Sequence, residues 1–297
     1  MSQGHPHTLT TRDGARIAAH TFAPAAAPRA SVVIGPAMGV AAFYYHPLAA
    51  HLATAGFAVT TFDYRGVGGS LEGPLRRHPA TLTDWVRQDY PAAIAHARRH
   101  APAAPVYLLG HSLGAQVPGL FPEVDGIAGL LGLATGSGYW RTIRPSVRRR
   151  FPLLAYAVGP VSMALAGYFP GRKIGIFDDV PAGAMRQWLR WCRHPRYCAG
   201  VEPGADAAFA RARFPVHYVS FTDDEFMTVE GTEAMLDCYT AAPRRHTRIA
   251  PADWGAKRIG HLGVFRKDMA PHWPRIARLI DDLPALGAAP TPTENSP

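Results

Sequence analysis

The residues whose types and spacing could do chemistry are concentrated in Gly110-His111-Ser112-Leu113-Gly114. An apolar run at 105–109 precedes them and small, apolar residues follow, so this G-x-S-x-G stands where a buried strand turns into a helix. In such a turn the serine is held in a strained backbone conformation with its hydroxyl aimed out of the sheet. The glycines are needed because a side chain two residues away on either side would collide with the neighbouring chain. The N–H of Leu113, opening the helix, has no intrahelical acceptor and can donate to an oxyanion. A nucleophilic serine needs a base, and the base needs an orienting acid. Two downstream stretches could supply them. Thr222-Asp223-Asp224-Glu225-Phe226-Met227 ends an apolar strand-like run at 216–221, and Ile259-Gly260-His261 sits in a Gly-flanked loop before the last helix. Serine, acid, histidine is the chain order this elbow requires, and of 14 histidines only His261 occupies that place. His111, inside the elbow, reads as a packing and loop-supporting group.

The elements that must position these residues can be read in order. Residues 8–22 form two strands around an Asp13-Gly14 turn. Ser31-Val32-Val33-Ile34 is a continuous apolar run of the buried parallel kind and ends at Gly35-Pro36-Ala37-Met38-Gly39, before a helix over 45–55. Backbone N–H groups exposed there can hold an anion, with Met38 as the second oxyanion donor and Ala37 as the fallback. A strand at 58–64 runs into Arg65-Gly66-Val67-Gly68-Gly69-Ser70, whose glycines do not have dinucleotide-fingerprint spacing. Asp63 and Arg65 read as an internal ion pair fixing that loop. A helix over 83–100 leads to the elbow strand, and a buried strand follows at 127–134. Alternation of strand and helix over this stretch implies an α/β fold with a mostly parallel sheet.

The alternation breaks at 139–206, where no strand is evident and arginines surround an uncharged run at 151–171. About 20 apolar residues could span a bilayer. Pro152, Gly159, Pro160 and Gly167 interrupt the run, however, and a span here would separate Ser112 from the C-terminal third. The run reads as a helical cap lining an acyl or aromatic pocket, with shallow membrane contact as the minor alternative. A helix over 182–192 follows it. After the strand at 216–221 come a helix over 229–241 and a strand over 247–250, and the Pro-rich tail reads as disordered.

Taken together, Pro36-Ala37-Met38-Gly39-Val40, Asp63-Tyr64-Arg65-Gly66-Val67-Gly68, Gly110-His111-Ser112-Leu113-Gly114, Thr222-Asp223-Asp224-Glu225-Phe226 and Ile259-Gly260-His261 resemble the α/β-hydrolase superfamily. The resemblance is to a bacterial branch of predicted serine hydrolases related to esterases, lipases and serine aminopeptidases, and it runs over about residues 8–282. Where many members carry His-Gly after the oxyanion strand, this chain has Pro36-Ala37. The resemblance implies an α/β-hydrolase fold, a mostly parallel central sheet flanked by helices with an inserted helical cap. Its core would comprise 8–135 and 207–283, the cap 136–206 and the disordered tail 284–297. It also implies a triad of Ser112, Asp224 and His261, with Asp223 as the alternative acid and Met38 and Leu113 forming the oxyanion hole.

The implied activity is hydrolysis of a carboxylic ester, or a related acyl bond, of a small and largely apolar substrate through an acyl-enzyme, without metal or organic cofactor. Acyl transfer or thioester cleavage by the same triad is one alternative, and a binding protein with little turnover is another. A dehalogenase would need an aspartate at position 112. Hydrophobic content of 47% against 18% charged, with mean hydropathy of −0.06, describes a globular chain rather than a multi-span membrane protein. The net charge of +9 raises anionic partners, but the arginines lack the basic-aromatic module of a nucleic-acid binder. Three cysteines without a C-x-x-C pair, and no apolar leader, point to reduced thiols and a cytoplasmic setting.

Overall fold

A sheet whose central strands are apolar on both faces must be covered on both faces, and this requirement organises the molecule. The computed structural model describes residues 4–175 and 177–287. Strands β1 (His5–Thr10) and β2 (Arg16–Phe22) form the expected hairpin around Asp13-Gly14, with Gly14 at φ +84°. Then follow β3 (Ala30–Gly35), β4 (Phe57–Phe62), β5 (Val106–His111) and β6 (Ile127–Leu133). Two short strands, β7 (Tyr168–Phe169) and β8 (Val180–Pro181), pair with each other, and β9 (Val216–Phe221) and β10 (Arg244–Ile249) complete the main sheet. Its order is β1-β2-β4-β3-β5-β6-β9-β10, with every pairing from β4 to β10 parallel.

Successive core residues alternate between two packed layers. Val33, Leu108 and Leu130 join Trp85, Tyr90 and Phe121 on one face, while Val32, Ile34 and Leu109 join Tyr45, Leu48 and Trp273 on the other. From β3 the chain moves outward to β4 and then returns to the opposite side of β3 as β5. The carboxyl ends of β3 and β5 therefore flank a topological switch point, where open α/β sheets hold their ligands. In register there, Gly35, Gly110 and Gly132 form one row across β3, β5 and β6. A Cβ on Gly110 would lie 2.4 Å from the backbone nitrogen of Ala115. The bare row lets the helix Leu113–Gln116 sit directly on the strand ends.

Several elements differ from the sequence reading. The helix over 82–100 contains a π turn at Trp85–Asp89, and the stretch 151–166 contains another at Leu154–Val158. Each lies just before a proline, Pro91 or Pro160, which cannot donate to the regular ladder and clashes with the carbonyl four residues back. The segment between β6 and β9 is mostly helical, but β7 and β8 pair within it where no strand was expected. The downstream helix begins at Val229 as expected but ends at Leu236, and β10 begins at Arg244, ahead of the expected strand over 247–250. Residues 284–287 of the expected tail are helical, continuing from Leu283, which is buried over Gly129, and residues 288–297 lie outside the described residues.

Asp63 and Arg65 do not pair with each other. Arg65 joins Asp89 and Asp13, at 2.7 Å each, and so ties the β1–β2 hairpin to the helix after the loop. The Asp63 carboxylate instead accepts from the N–H groups of Ala42 (2.7 Å) and Gly69 (2.9 Å). With Arg65 taken by Asp89 and Asp13 and the Asp63 oxygens by two backbone N–H groups, neither side chain is left for the other. No helix among the described residues is long and apolar enough to cross a membrane.

Candidate active site

At the end of β5, Ser112 has φ +48° and ψ −114°, a conformation that costs on the order of 1–3 kcal/mol for a residue with a side chain. Surrounding bonds hold it there. Its N–H donates to the carbonyl of Leu133 (3.2 Å), and its own carbonyl accepts from the Thr135 hydroxyl (2.9 Å) and from the N–H of Ala115 (3.0 Å). The Ser112 hydroxyl has no protein partner among the described residues.

His261 reaches the same edge of the sheet from the far side. Its Nδ1 lies 2.9 Å from Asp224 Oδ2 and 3.2 Å from Oδ1. A carboxylate only accepts, so the proton sits on Nδ1 and Nε2 is left as a base. Asp224 is fully buried, and its Oδ1 also accepts from the N–H groups of Phe226 (2.7 Å) and Met227 (2.9 Å). Burial pushes its carboxyl up, but the His261 ring and these two donors outweigh burial and hold it below the ordinary carboxylate value. Asp223 does not meet the ring. Its Oδ2 accepts from the backbone of Ile259 (2.8 Å) and Gly260 (3.0 Å).

Glu225, Arg144 and Tyr45, to which the sequence assigned no role, bond around this loop, as does His111, read from the sequence as a packing and loop-supporting group. Glu225 Oε2 accepts from the N–H of His261 (2.8 Å), while its other oxygen pairs with Arg258. The acidic triplet 223–225 thus grips the histidine loop through three separate carboxylates, and its signal in the sequence was the triplet itself. Arg144 donates to the carbonyls of Asp224 (2.9 Å) and Thr222, binding the segment after β6 to the acid loop. His111 is fully buried, and burial holds its ring well below the ordinary histidine pKa. The His261 carbonyl, 3.0 Å from His111 Nε2, can only accept, so Nε2 carries the proton and Nδ1 accepts from the Tyr45 hydroxyl (2.8 Å). That hydroxyl in turn accepts from the N–H of Ala37 (2.9 Å). One directed chain of hydrogen bonds therefore joins the β3 loop, the elbow and the histidine loop. It also occupies the Ala37 donor, leaving the N–H groups of Met38 and Leu113 without a protein acceptor among the described residues.

A cavity of about 140 Å³ opens where these loops meet, bordered by Met38, Ser112, Leu113 and His261. Phe177 and Trp188, from the segment between β6 and β9, close it together with Tyr197 and Phe226. Tyr197 is buried at φ +49°, and its hydroxyl donates to Gln116 Oε1 (3.0 Å). The wall is almost wholly apolar and aromatic, so it suits a small apolar group with one polar end at Ser112. Among the described residues no cluster of histidine, cysteine or carboxylate side chains could hold a metal ion.

Comparison with known proteins agrees with this architecture. The family model for serine aminopeptidase S33 matches residues 26–121, the stretch from the start of β3 through the elbow. A monoglyceride lipase from Saccharomyces cerevisiae, solved as a soluble variant with a substrate analogue, is 15% identical. It superposes with a TM-score of 0.67 over 95% of each chain. An esterase from Pyrococcus furiosus is 14% identical, with a TM-score of 0.63 over 95% of this chain and 92% of that one. A thermostable carboxyl esterase from Bacillus coagulans is 13% identical, with a TM-score of 0.61 over 95% and 99%. No curated protein sequence matches the chain. With this strand order, this elbow and these structural likenesses, the chain is an α/β-hydrolase-fold protein.

Proposed function

We propose that the chain is a serine hydrolase that cleaves a carboxylic ester, or a related acyl bond, of a small and largely apolar substrate. The observation that carries this reading is a serine in a strained elbow bordering the same cavity as a histidine whose Nδ1 is held by a buried carboxylate. The esterase and lipase likenesses support the reaction class.

In this reading His261 Nε2 takes the Ser112 proton as the serine oxygen attacks the acyl carbonyl. Asp224 holds the ring and stabilises its charged form, and Asp223 is the alternative acid. The oxyanion is received by the N–H groups of Met38 and Leu113, and losing one such donor would raise the barrier by roughly 3 kcal/mol. The imidazolium then protonates the leaving alcohol. Water, activated by the same ring, releases the acid and restores the serine. The insertion acts as a cap, with Phe177 and Trp188 excluding water from the acyl side. Nothing in these steps calls for a cofactor.

The test is covalent labelling with a fluorophosphonate, mapped by mass spectrometry, on the native chain and Ser112→Ala. Labelling confined to Ser112, together with loss of short-chain ester hydrolysis in the variant, is the expected result. Undiminished turnover in a folded Ser112→Ala protein would refute the assignment.

A further inference from the structure

The helical stretch 151–166 is the part of the molecule that its own fold leaves unfinished. One side is buried, with Phe151, Ala155, Gly159 and Met163 facing the interior at helical spacing. The opposite side is just as apolar and faces solvent: Leu153 is 63% exposed, Tyr156 64%, Val161 57% and Leu165 85%. Ser162, the sole hydroxyl besides Tyr156, turns back on the helix and bonds the carbonyl of Gly159 (3.0 Å). A helix that is apolar all round belongs in an interior, and an exposed apolar strip of this length marks a surface that meets something else.

Charge around the strip identifies the partner. From residue 136 to residue 177 there are seven cationic side chains and not one carboxylate. Arg148, Arg149 and Arg150 stand exposed at the start of the helix, and Arg172 and Lys173 stand exposed just beyond its end. Arg172 is engaged by Asp178, but no ion pair among the described residues engages the other four. At mid-helix the guanidinium of Arg193 lies over the Tyr156 ring, 5.4 Å from its centre. An apolar strip with cations at both ends and an amphipathic tyrosine along it has the composition of a helix lying in a bilayer interface. At 16 residues, about 24 Å, it is too short to span one.

We propose that this helix docks the protein on a membrane surface rich in anionic lipid, its outer face entering the acyl boundary and its arginines meeting the headgroups. The inference is independent of catalysis, since it rests on a face that does not border the Ser112 cavity. Phe177 and Trp188 belong to the same insertion and close that cavity, so docking would hold the cap, and with it the site, next to a reservoir of apolar substrate.

Flotation with vesicles tests it, using phosphatidylcholine alone and phosphatidylcholine with phosphatidylglycerol. The full chain is compared with Tyr156→Asp/Leu165→Asp and Arg149→Glu/Arg150→Glu, each checked for an unchanged melting temperature and circular dichroism spectrum. The native chain should float with the anionic vesicles at low salt. Binding should weaken at least tenfold in the apolar-face variant, and by roughly fivefold per arginine lost in the basic variant. It should fall steeply with added salt and be weak on pure phosphatidylcholine. Absence of flotation on anionic vesicles at low salt would overturn the proposal, as would flotation that neither variant reduces. A stable dimer in light scattering that Leu165→Asp dissociates would assign the strip to a second copy of the chain instead. None of these readouts depends on turnover, so failure of the Ser112 reading and failure of this one are distinguishable.

Discussion

Two adjacent aspartates, chemically identical, are used differently because their carboxylates meet different partners. Asp224 meets the His261 ring, whereas Asp223 meets only the backbone of Ile259 and Gly260. Under the proposed mechanism Asp224→Asn removes the acceptor that fixes the ring tautomer and should lower kcat on the order of 10⁴-fold. Asp223→Asn keeps an oxygen for the two backbone donors and should lower it by no more than about tenfold, the scale of one hydrogen bond. Steady-state kinetics of the two variants on one ester decide between them, and the opposite ranking would make Asp223 the acid. The carboxylates were legible in the sequence as a cluster at a strand end, and the histidine as the one in the right topological place. Their division of labour was not, because one residue of register in a loop reverses which side chain faces the ring. Tyr45 and the bonding of Arg65 were equally hidden: each depends on a contact between segments brought together only by the folded sheet.

At the level of elements, the elbow shows how far a local pattern reaches. The G-x-S-x-G motif implies close packing, and the structure gives its partner: a Cβ on Gly114 would lie 2.0 Å from the carbonyl oxygen of Gly35. Gly114→Ala must therefore push β3 away from the helix Leu113–Gln116. It should destabilise the fold by about 3 kcal/mol, at the upper end of the overpacking range, read as a lower urea midpoint at unchanged slope. A midpoint within error of the native one would show that the strand ends are less rigid than this packing implies. The central strands and the parallel sheet were readable because buried strands carry continuous apolar runs, and those runs cannot be shifted without exposing them; the order of the strands in the sheet was not. The π turns and the β7–β8 pair were not. They answer to a proline's missing N–H and to packing within the segment between β6 and β9 rather than to hydrophobic period.

Across the whole molecule, histidines kept neutral by burial set the response to acid. His111 and His217 are both buried, and burial lowers the first well below its ordinary value and the second to about 4. In the unfolded chain both titrate near 6.5. Their contribution to stability is therefore complete above about pH 6.5 and is lost as the pH falls toward their folded values. Each costs at most about 1.4 kcal/mol per pH unit. The melting temperature should hold from pH 8 to 7 and decline from 6.5 to 5, and His217→Gln should flatten part of that decline. A flat profile down to pH 5 would contradict the burial argument.

The chain of bonds from Ala37 through Tyr45 and His111 to His261 has a further consequence, this time for the order of assembly. Its members come from the turn after β3, the first helix, the elbow and the last loop, with 150 residues between His111 and His261. No fragment shorter than Ala37 to His261 contains these members, and loop closure over that distance must come late, after the local helices and the hairpin have formed. A refolding protein would regain its far-ultraviolet dichroism well before it regained reactivity toward a fluorophosphonate. The serine would then serve as a clock for the final docking of the C-terminal third.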